Sequence, residues 1–184
     1  GELMDSKPKQ FKDNCKLCGT ENTTFTIIDR DSYGDHKITQ NECVFCGNFR
    51  FENGRLDDEL EMSEDNKLNI RGITRLVNDG YLKQEILFTN ENIHYKIHSF
   101  GPTKNVTEQI NLFIDIIGKF APFFGKYTKT DCAEKWKRRL FMEDKTGVLK
   151  FYSALEKKGL ITILNKGFEK ELGFSLTLSG WELY

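Results

Sequence analysis

The chain has 184 residues, which is enough for one full domain or for two to three small ones. Charged residues make up 30% and nearly balance to a net charge of −1, so no overall attraction to nucleic acid or to an anionic membrane is predicted. The 38% of hydrophobic residues predicts packed cores rather than disorder. Because neither a long apolar run nor a signal-like start is present, we expect a cytoplasmic protein without a membrane partner.

Two short motifs of the same form, a C-x-x-C pair followed by glycine, lie near the start of the chain. We call them the first knuckle (residues 15–19) and the second knuckle (residues 43–47). The glycine permits a positive φ, which lets backbone N–H groups point at sulfur. Four thiolates on two such turns form the closed tetrahedral set that holds structural zinc. The predicted ligands of one zinc ion are Cys15, Cys18, Cys43 and Cys46.

The alternative to zinc is that the four cysteines form two redox dithiols or two disulfides. A redox motif normally sits between a strand and a helix, and disulfides normally occur in secreted proteins. The sequence around the knuckles shows neither context, so a metal site is favoured.

The residues around the knuckles predict a small antiparallel sheet. Residues 24–28 mix β-branched and aromatic side chains, residues 31–35 are typical of a turn, and residues 36–42 return toward the second knuckle. Residues 48–52 indicate a third strand with Phe49 and Phe51 on one face. Together these features predict a zinc ribbon over residues 1–55, a small fold stabilised largely by its metal.

The middle of the chain is predicted to be an acidic linker followed by a helical connector. Six acidic residues without a basic one occur between positions 57 and 65, which indicates a linker over residues 56–66. Residues 68–80 and the apolar stripe that follows the capping signature of Asn105 and Glu108 predict helices of a connector over residues 67–127.

Two histidines of this connector, His94 and His98, would lie one turn apart on another helix. That spacing suits a metal, but no H-E-x-x-H pattern surrounds it, so ordinary helix-face histidines are favoured.

The last third of the chain has the order helix, helix, β-hairpin, which predicts a winged helix over residues 128–184. The first helix carries Trp136 and Leu140 inward, with Cys132 as a small buried hydrophobic residue on the same side. The second helix covers residues 148–158, and the hairpin strands cover residues 160–164 and 174–178. The inward residues of the second helix are Val148, Phe151, Tyr152 and Leu155.

A final helix is predicted from the capping box of Ser179 and Glu182. It is cut after about one turn, which is too short to be stable alone. We therefore expect the chain to be a fragment of a longer protein that continues beyond Tyr184.

Residues 155–161 and 176–184, together with the two knuckles, resemble the N-terminal region of a bacterial family of zinc-ribbon proteins. In that family a TIR-like or nucleoside-deoxyribosyltransferase-like domain follows the Gly180-Trp181 segment. Residues 69–72 and 88–93 are similar to the family's linking region. The resemblance implies an accessory module before a nucleotide-acting effector domain, with a role in antiphage defence. It implies that the catalytic residues lie beyond Tyr184.

The sequence thus predicts an α+β protein with a zinc ribbon, a helical connector and a winged helix. No G-x-S-x-G motif and no phosphate-binding glycine loop is present. A catalytic zinc is disfavoured because four cysteine ligands leave no position for water. We expect a non-catalytic sensor or docking module whose partners are its own effector domain and a ligand or protein bound by the winged helix.

The alternative function is nucleic-acid binding through the winged helix. Seven basic and four acidic residues lie between positions 129 and 150. The second helix shows no outward Arg, Asn or Gln to read base edges, so contacts would be to phosphates and sensitive to salt. A solvated helix face is the simpler interpretation. The candidate contact residues are Lys135, Lys137, Arg138, Arg139, Lys150 and Lys157.

Overall fold

The computed structural model describes residues 8–30, 37–52, 64–83, 86–89, 105–120, 128–129, 132–164 and 173–184. Within these residues the fold is α+β, as predicted. The chain divides into two compact units, unit 1 (Gly1–Gly101) and unit 2 (Pro102–Tyr184).

In its described residues, unit 1 has a five-stranded sheet with a helix against it. The described strands pair in the order β1-β2-β3-β4-β5, antiparallel except for the parallel pair β4–β5. The elements are β1 (Gln10–Asp13), β2 (Thr23–Arg30), β3 (Lys37–Cys43), β4 (Gly47–Glu52), α1 (Glu64–Asn78) and β5 (Leu87–Phe88).

The three predicted strands of this unit are confirmed as β2, β3 and β4. Phe49 and Phe51 are buried and Arg50 is exposed, as the alternation of β4 predicts. The edge strands β1 and β5 were not predicted, because β1 is exposed along its whole length and β5 has only two residues.

Helix α1 begins at Glu64, within the predicted acidic linker, and carries Glu64 and Asp65 in its first turn. Acidic side chains are favourable there because they face the positive end of the helix dipole. Ile70 of α1 is buried in one cluster with the aromatic residues of the sheet and three of the knuckle cysteines. The helix therefore packs on the sheet of unit 1.

Unit 2 combines four described helices with a three-stranded sheet of order β6-β8-β7, in which the strands are antiparallel. The elements are α2 (Val106–Phe120), β6 (Thr128–Lys129), α3 (Ala133–Arg139), α4 (Lys145–Lys157), β7 (Ile161–Leu164), β8 (Gly173–Leu176) and α5 (Leu178–Leu183).

The core of unit 2 is centred on Phe113 of α2, which is fully buried. Its ring centroid lies 4.7 Å from that of Trp136 and 5.4 Å from that of Phe174. Helix α4 contributes the four inward residues that were predicted, and all four are buried. Edge-to-face aromatic contacts of this kind stabilise a core beyond the burial of area alone.

The predicted connector over residues 67–127 is not one body, because α1 belongs to unit 1 and α2 belongs to unit 2. Each helix buries its apolar face against a different core, and hydrophobic burial rather than chain order decides which unit it joins. His94 and His98 lie outside the described residues.

The helix starts of unit 2 differ from the predicted ones. The side chain of Asp144 caps α4 by accepting from the N–H of Gly147 at 2.6 Å, so this helix starts at Lys145. The predicted capping box at Ser179 is wrong, because Thr177 Oγ1 accepts from the N–H of Gly180 at 3.1 Å and caps α5. Half-buried Cys132 is the N-cap residue of α3.

No helix in the part of the chain that the structure describes is long and apolar enough to cross a membrane.

Candidate metal centre

Each knuckle is a tight turn that points its two sulfur atoms to one side. In the first, the N–H of Gly19 donates to the carbonyl of Cys15 at 2.8 Å, and the N–H of Cys15 donates to the carbonyl of Thr20 at 2.8 Å. The second is the turn of the β3–β4 hairpin, in which Cys43 and Gly47 are register partners. Gly19 and Gly47 have φ of 71° and 91°, as predicted for the glycine that ends each knuckle.

The four sulfur atoms of the knuckles form one cluster. The Sγ atoms of Cys15, Cys18, Cys43 and Cys46 all lie within 4.8 Å of one another. The Sγ atoms of Cys18 and Cys43 are 3.7 Å apart. Tetrahedral coordination at about 2.3 Å per bond requires sulfur atoms about 3.8 Å apart, so the cluster fits a single ion with small closing movements.

The cluster is largely closed to solvent. Cys46 is fully buried, Cys15 and Cys43 are 2% and 4% exposed, and only Cys18 is half-buried. Water has little access to these sulfur atoms, so a negative charge that develops on them must be offset by the protein or by a cation.

Three protein groups contact the sulfur atoms with N–H or O–H donors. The N–H of Cys46 donates to Sγ of Cys43 at 3.4 Å, and the side-chain amide of buried Asn41 donates to Sγ of Cys15 at 3.8 Å. The hydroxyl of Thr20 lies 3.0 Å from Sγ of Cys18. Donors of this kind stabilise a thiolate and orient it toward a metal.

The sulfur atoms also polarise one another. Hydrogen bonding from Cys15 lowers the pKa of Cys43 to about 6 and is the largest cause that lowers the pKa of Cys18. The pKa of Cys15 and of Cys46 is raised, because their thiols hydrogen-bond to neighbouring sulfur atoms and are buried. A metal cation at the centre of the cluster would favour the thiolate form of all four cysteines and release their protons.

Helix α1 contributes three residues that the sequence analysis did not assign to the site. Arg71 Nε donates to the carbonyl of Leu17, and Arg75 Nη1 donates to the carbonyl of Phe45 at 3.2 Å. The side-chain amide of Asn78 exchanges hydrogen bonds with the backbone of Asn48 at 2.8 and 2.9 Å. Their spacing could have indicated a shared contact surface. The three residues lie at i, i+4 and i+7, and polar residues with that spacing share one face of a helix.

Two candidate nucleic-acid contacts, Arg138 and Arg139, are buried in unit 2 at 5% and 3% exposure. Arg138 Nη1 lies 3.0 Å from Oε2 of Glu134, and the guanidinium carbon of Arg139 lies 4.8 Å from the centroid of the Trp136 ring. Within unit 2, Arg138 thus forms an ion pair and Arg139 forms a cation–π contact. Both arginines are thus engaged within unit 2, and their contact with phosphates stays a prediction.

Glu134 of α3 forms ion pairs with two basic side chains of the same helix, Lys137 and Arg138. Its partial burial opposes ionisation, but hydrogen bonds from Lys137 and Arg138 lower its pKa overall. Lys137 Nζ lies 3.0 Å from Oε2 of Glu134, and Lys135 is half-buried. Lys137 and Arg138 are therefore paired with Glu134 within α3.

The other two candidate contacts, Lys150 and Lys157, are exposed on α4, as predicted. They border a shallow groove of about 370 Å³ on the outward face of this helix. Leu149 is 44% exposed there. The residues that line this α4 groove are Thr146, Leu149, Lys150, Ser153, Ala154 and Lys157.

Comparison of the chain with protein-family models, with curated proteins and with solved structures finds no match. The family resemblance therefore stays a prediction, and the site is interpreted from its own geometry.

Gly47→Ala should damage the second knuckle more than Gly19→Ala damages the first. Both substitutions place a Cβ at positive φ, which costs about 1–2 kcal/mol. Only at Gly47 would the new methyl group also collide with the side chain of Asn78, whereas at Gly19 it meets open space. We expect faster amide hydrogen exchange in α1 for Gly47→Ala than for Gly19→Ala. Equal exchange in the two variants would contradict this packing.

Proposed function

We propose that unit 1 is a zinc ribbon in which Cys15, Cys18, Cys43 and Cys46 hold one structural zinc ion. The observation that carries this proposal is the convergence of the four sulfur atoms within 4.8 Å on two turns. Tetrahedral thiolate sets favour zinc among the common divalent ions. Four protein ligands complete the coordination sphere and leave no position for a reacting water, so the ion would have a structural rather than a catalytic role.

The burial of the cysteines supports a structural role for the ion. Cys15, Cys43 and Cys46 belong to the same buried cluster as Phe25, Phe49 and other core residues of the sheet. The cysteines are therefore part of the core of this sheet, where an ion that they hold would stabilise the packed residues directly. Zinc would join two turns that are distant in sequence and would contribute its binding free energy to folding.

For unit 2 we propose a winged helix that binds a partner. The order α3, α4, then the β7–β8 hairpin beside β6 supports this topology. The α4 groove supplies an outward surface that combines apolar Leu149 with two lysines. As in the family that the chain resembles, the module would be non-catalytic and would serve an effector domain in antiphage defence as a sensor or docking element.

The exposure of Lys150 and Lys157 favours nucleic acid as a second candidate partner. They lie about two turns apart on one face of α4, and Ser153 between them can donate to a phosphate oxygen. With Arg138 and Arg139 buried, few cations remain on this surface, so nucleic-acid contacts would be few and independent of sequence.

The zinc proposal predicts about one zinc ion per purified chain by elemental analysis. Cys15→Ser or Cys46→Ser should lose the metal and the cooperative unfolding of unit 1. Unit 2 should keep the fluorescence of its tryptophans, Trp136 and Trp181, because its aromatic core contains no ligand. Cys132→Ser is the matched control, since this cysteine occupies the N-cap position of α3 and lies outside the four-sulfur cluster.

Two outcomes would contradict the zinc proposal. One is stoichiometric zinc in a variant that lacks all four knuckle cysteines. The other is a wild-type chain that is fully folded without metal and does not take up added zinc.

The nucleic-acid candidate predicts that Lys150→Glu with Lys157→Glu weakens binding of a labelled DNA duplex at low salt. We expect an affinity loss of about tenfold or more, and a salt dependence of binding that is reduced by about one unit of slope per lost contact. Lys9→Glu with Lys83→Glu is the control, because it makes the same charge change at exposed sites of unit 1. Equal losses in both double variants would show that α4 is not the contact surface.

A further inference from the structure

Helix α1 contacts the two knuckles at equivalent positions. Leu17 and Phe45 each occupy the position directly before the second cysteine of their knuckle. The carbonyl of Leu17 accepts from Arg71, and the carbonyl of Phe45 accepts from Arg75. One helix thus holds both halves of the metal site, each through a peptide group that adjoins a ligand.

The two arginines lie one turn apart on α1, so the distance that they can bridge is fixed by the helix. Arg75 is 9% exposed and is held by Asp79, whose Oδ1 accepts from Nη2 at 2.8 Å and from Nε at 3.1 Å. Buried Ile70 fixes the same helix in the core of unit 1. Arg75 and the helix that carries both arginines are therefore held in place, and we call the two arginines with their carbonyl contacts the clamp.

Asn78 adds a third contact at the end of α1. It bonds the N–H and the carbonyl of Asn48, which follows Gly47. It also donates to the carbonyl of Thr74 at 2.8 Å, which holds its side chain against the helix. Hydrogen bonds from α1 thus hold the second knuckle both before Cys46, at Phe45, and after it, at Asn48.

We propose that docking of α1 and metal binding are coupled, with Arg71 and Arg75 as positioning residues of the metal centre. This inference rests on the proposed zinc site. A metal fixes the separation of the knuckles, and that separation places both carbonyls within reach of two arginines on one rigid helix. Because linkage is reciprocal, the helix strengthens metal binding by the same factor by which metal strengthens docking.

Charge supports the coupling. Four thiolates around Zn²⁺ give a centre of net charge −2, and the guanidinium group of Arg71 beside a ligand peptide partly offsets this charge, whereas Arg75 is paired with Asp79 and acts through its hydrogen bond. Groups that hydrogen-bond directly to ligands commonly change metal affinity by about 10–100-fold when they are removed, and for contacts to the adjoining peptide carbonyls we expect the lower end of this range. Loss of the metal would weaken both carbonyl contacts together and release α1 from the knuckles, so docking of this helix reports whether the site is occupied.

The coupling predicts weaker zinc binding when the clamp is removed. Two variants are compared with the wild-type chain: the single variant Arg71→Gln, and the double variant Arg75→Gln with Asp79→Asn. Each should lower zinc affinity by about tenfold in competition with a chromogenic chelator. The Asp79→Asn change avoids an unpaired acid beside the site. Lys67→Gln is the matched control, because it removes a positive charge of α1 that pairs with Glu64 at 2.8 Å, and it should leave affinity within about twofold.

Cobalt(II) substitution separates positioning from loss of the ligands. The arginine variants should keep the absorption of a tetrahedral four-thiolate site at saturating cobalt, because every ligand is still present. Their affinity alone should fall. An altered cobalt spectrum at saturation would overturn the positioning role and would assign the arginines to the folding of the knuckles.

Hydrogen exchange of the wild-type chain tests the coupling without any substitution. Amides of residues 64–78 should exchange faster after zinc removal and should regain protection when zinc is added back, while unit 2 stays unchanged. If wild-type protein binds no zinc, the proposed zinc site itself fails. If it binds zinc, but α1 protection does not depend on zinc or the arginine variants match Lys67→Gln, only the coupling fails.

Discussion

The fold of unit 1 depends on bringing together four sulfur atoms from two turns, three of them on buried cysteines. The first knuckle lies between β1 and β2, and the second closes the hairpin of β3 and β4. Contact between the two knuckles therefore joins parts of the sheet that are distant in sequence. Four thiols in such a space cannot all ionise without a cation, and this electrostatic constraint makes a metal the natural partner of the cluster.

Different interactions stabilise the two units. Unit 2 has an aromatic core around Phe113, in which Trp136, Phe151, Tyr152 and Phe174 all lie against one ring. Unit 1 combines a cluster that includes knuckle cysteines with hydrogen bonds from α1 to backbone carbonyls. Because three of the proposed ligands lie in that cluster, a bound ion would stabilise the core of unit 1 directly.

Local patterns predicted the parts of the fold that depend on local physics. The knuckle spacing predicted the four-sulfur cluster, and helical periodicity predicted every inward residue of α4. Features that depend on distant partners were missed. Arg71 contacts a carbonyl 54 positions away and Arg75 one that is 30 positions away, and no short-range pattern encodes such pairs. The burial of Arg138 and Arg139 was missed because composition places arginine at the surface, although Glu134 and Trp136 offer partners within one turn.

X-ray absorption at the zinc edge of the purified, zinc-loaded chain tests the central claim most directly. We expect a first coordination shell of four sulfur atoms at about 2.3 Å, with no lighter ligand. Such a shell would establish a closed structural site formed by the two knuckles. A shell that contains nitrogen or oxygen, or fewer than four sulfur atoms, would contradict the claim and would reopen the question of a catalytic ion.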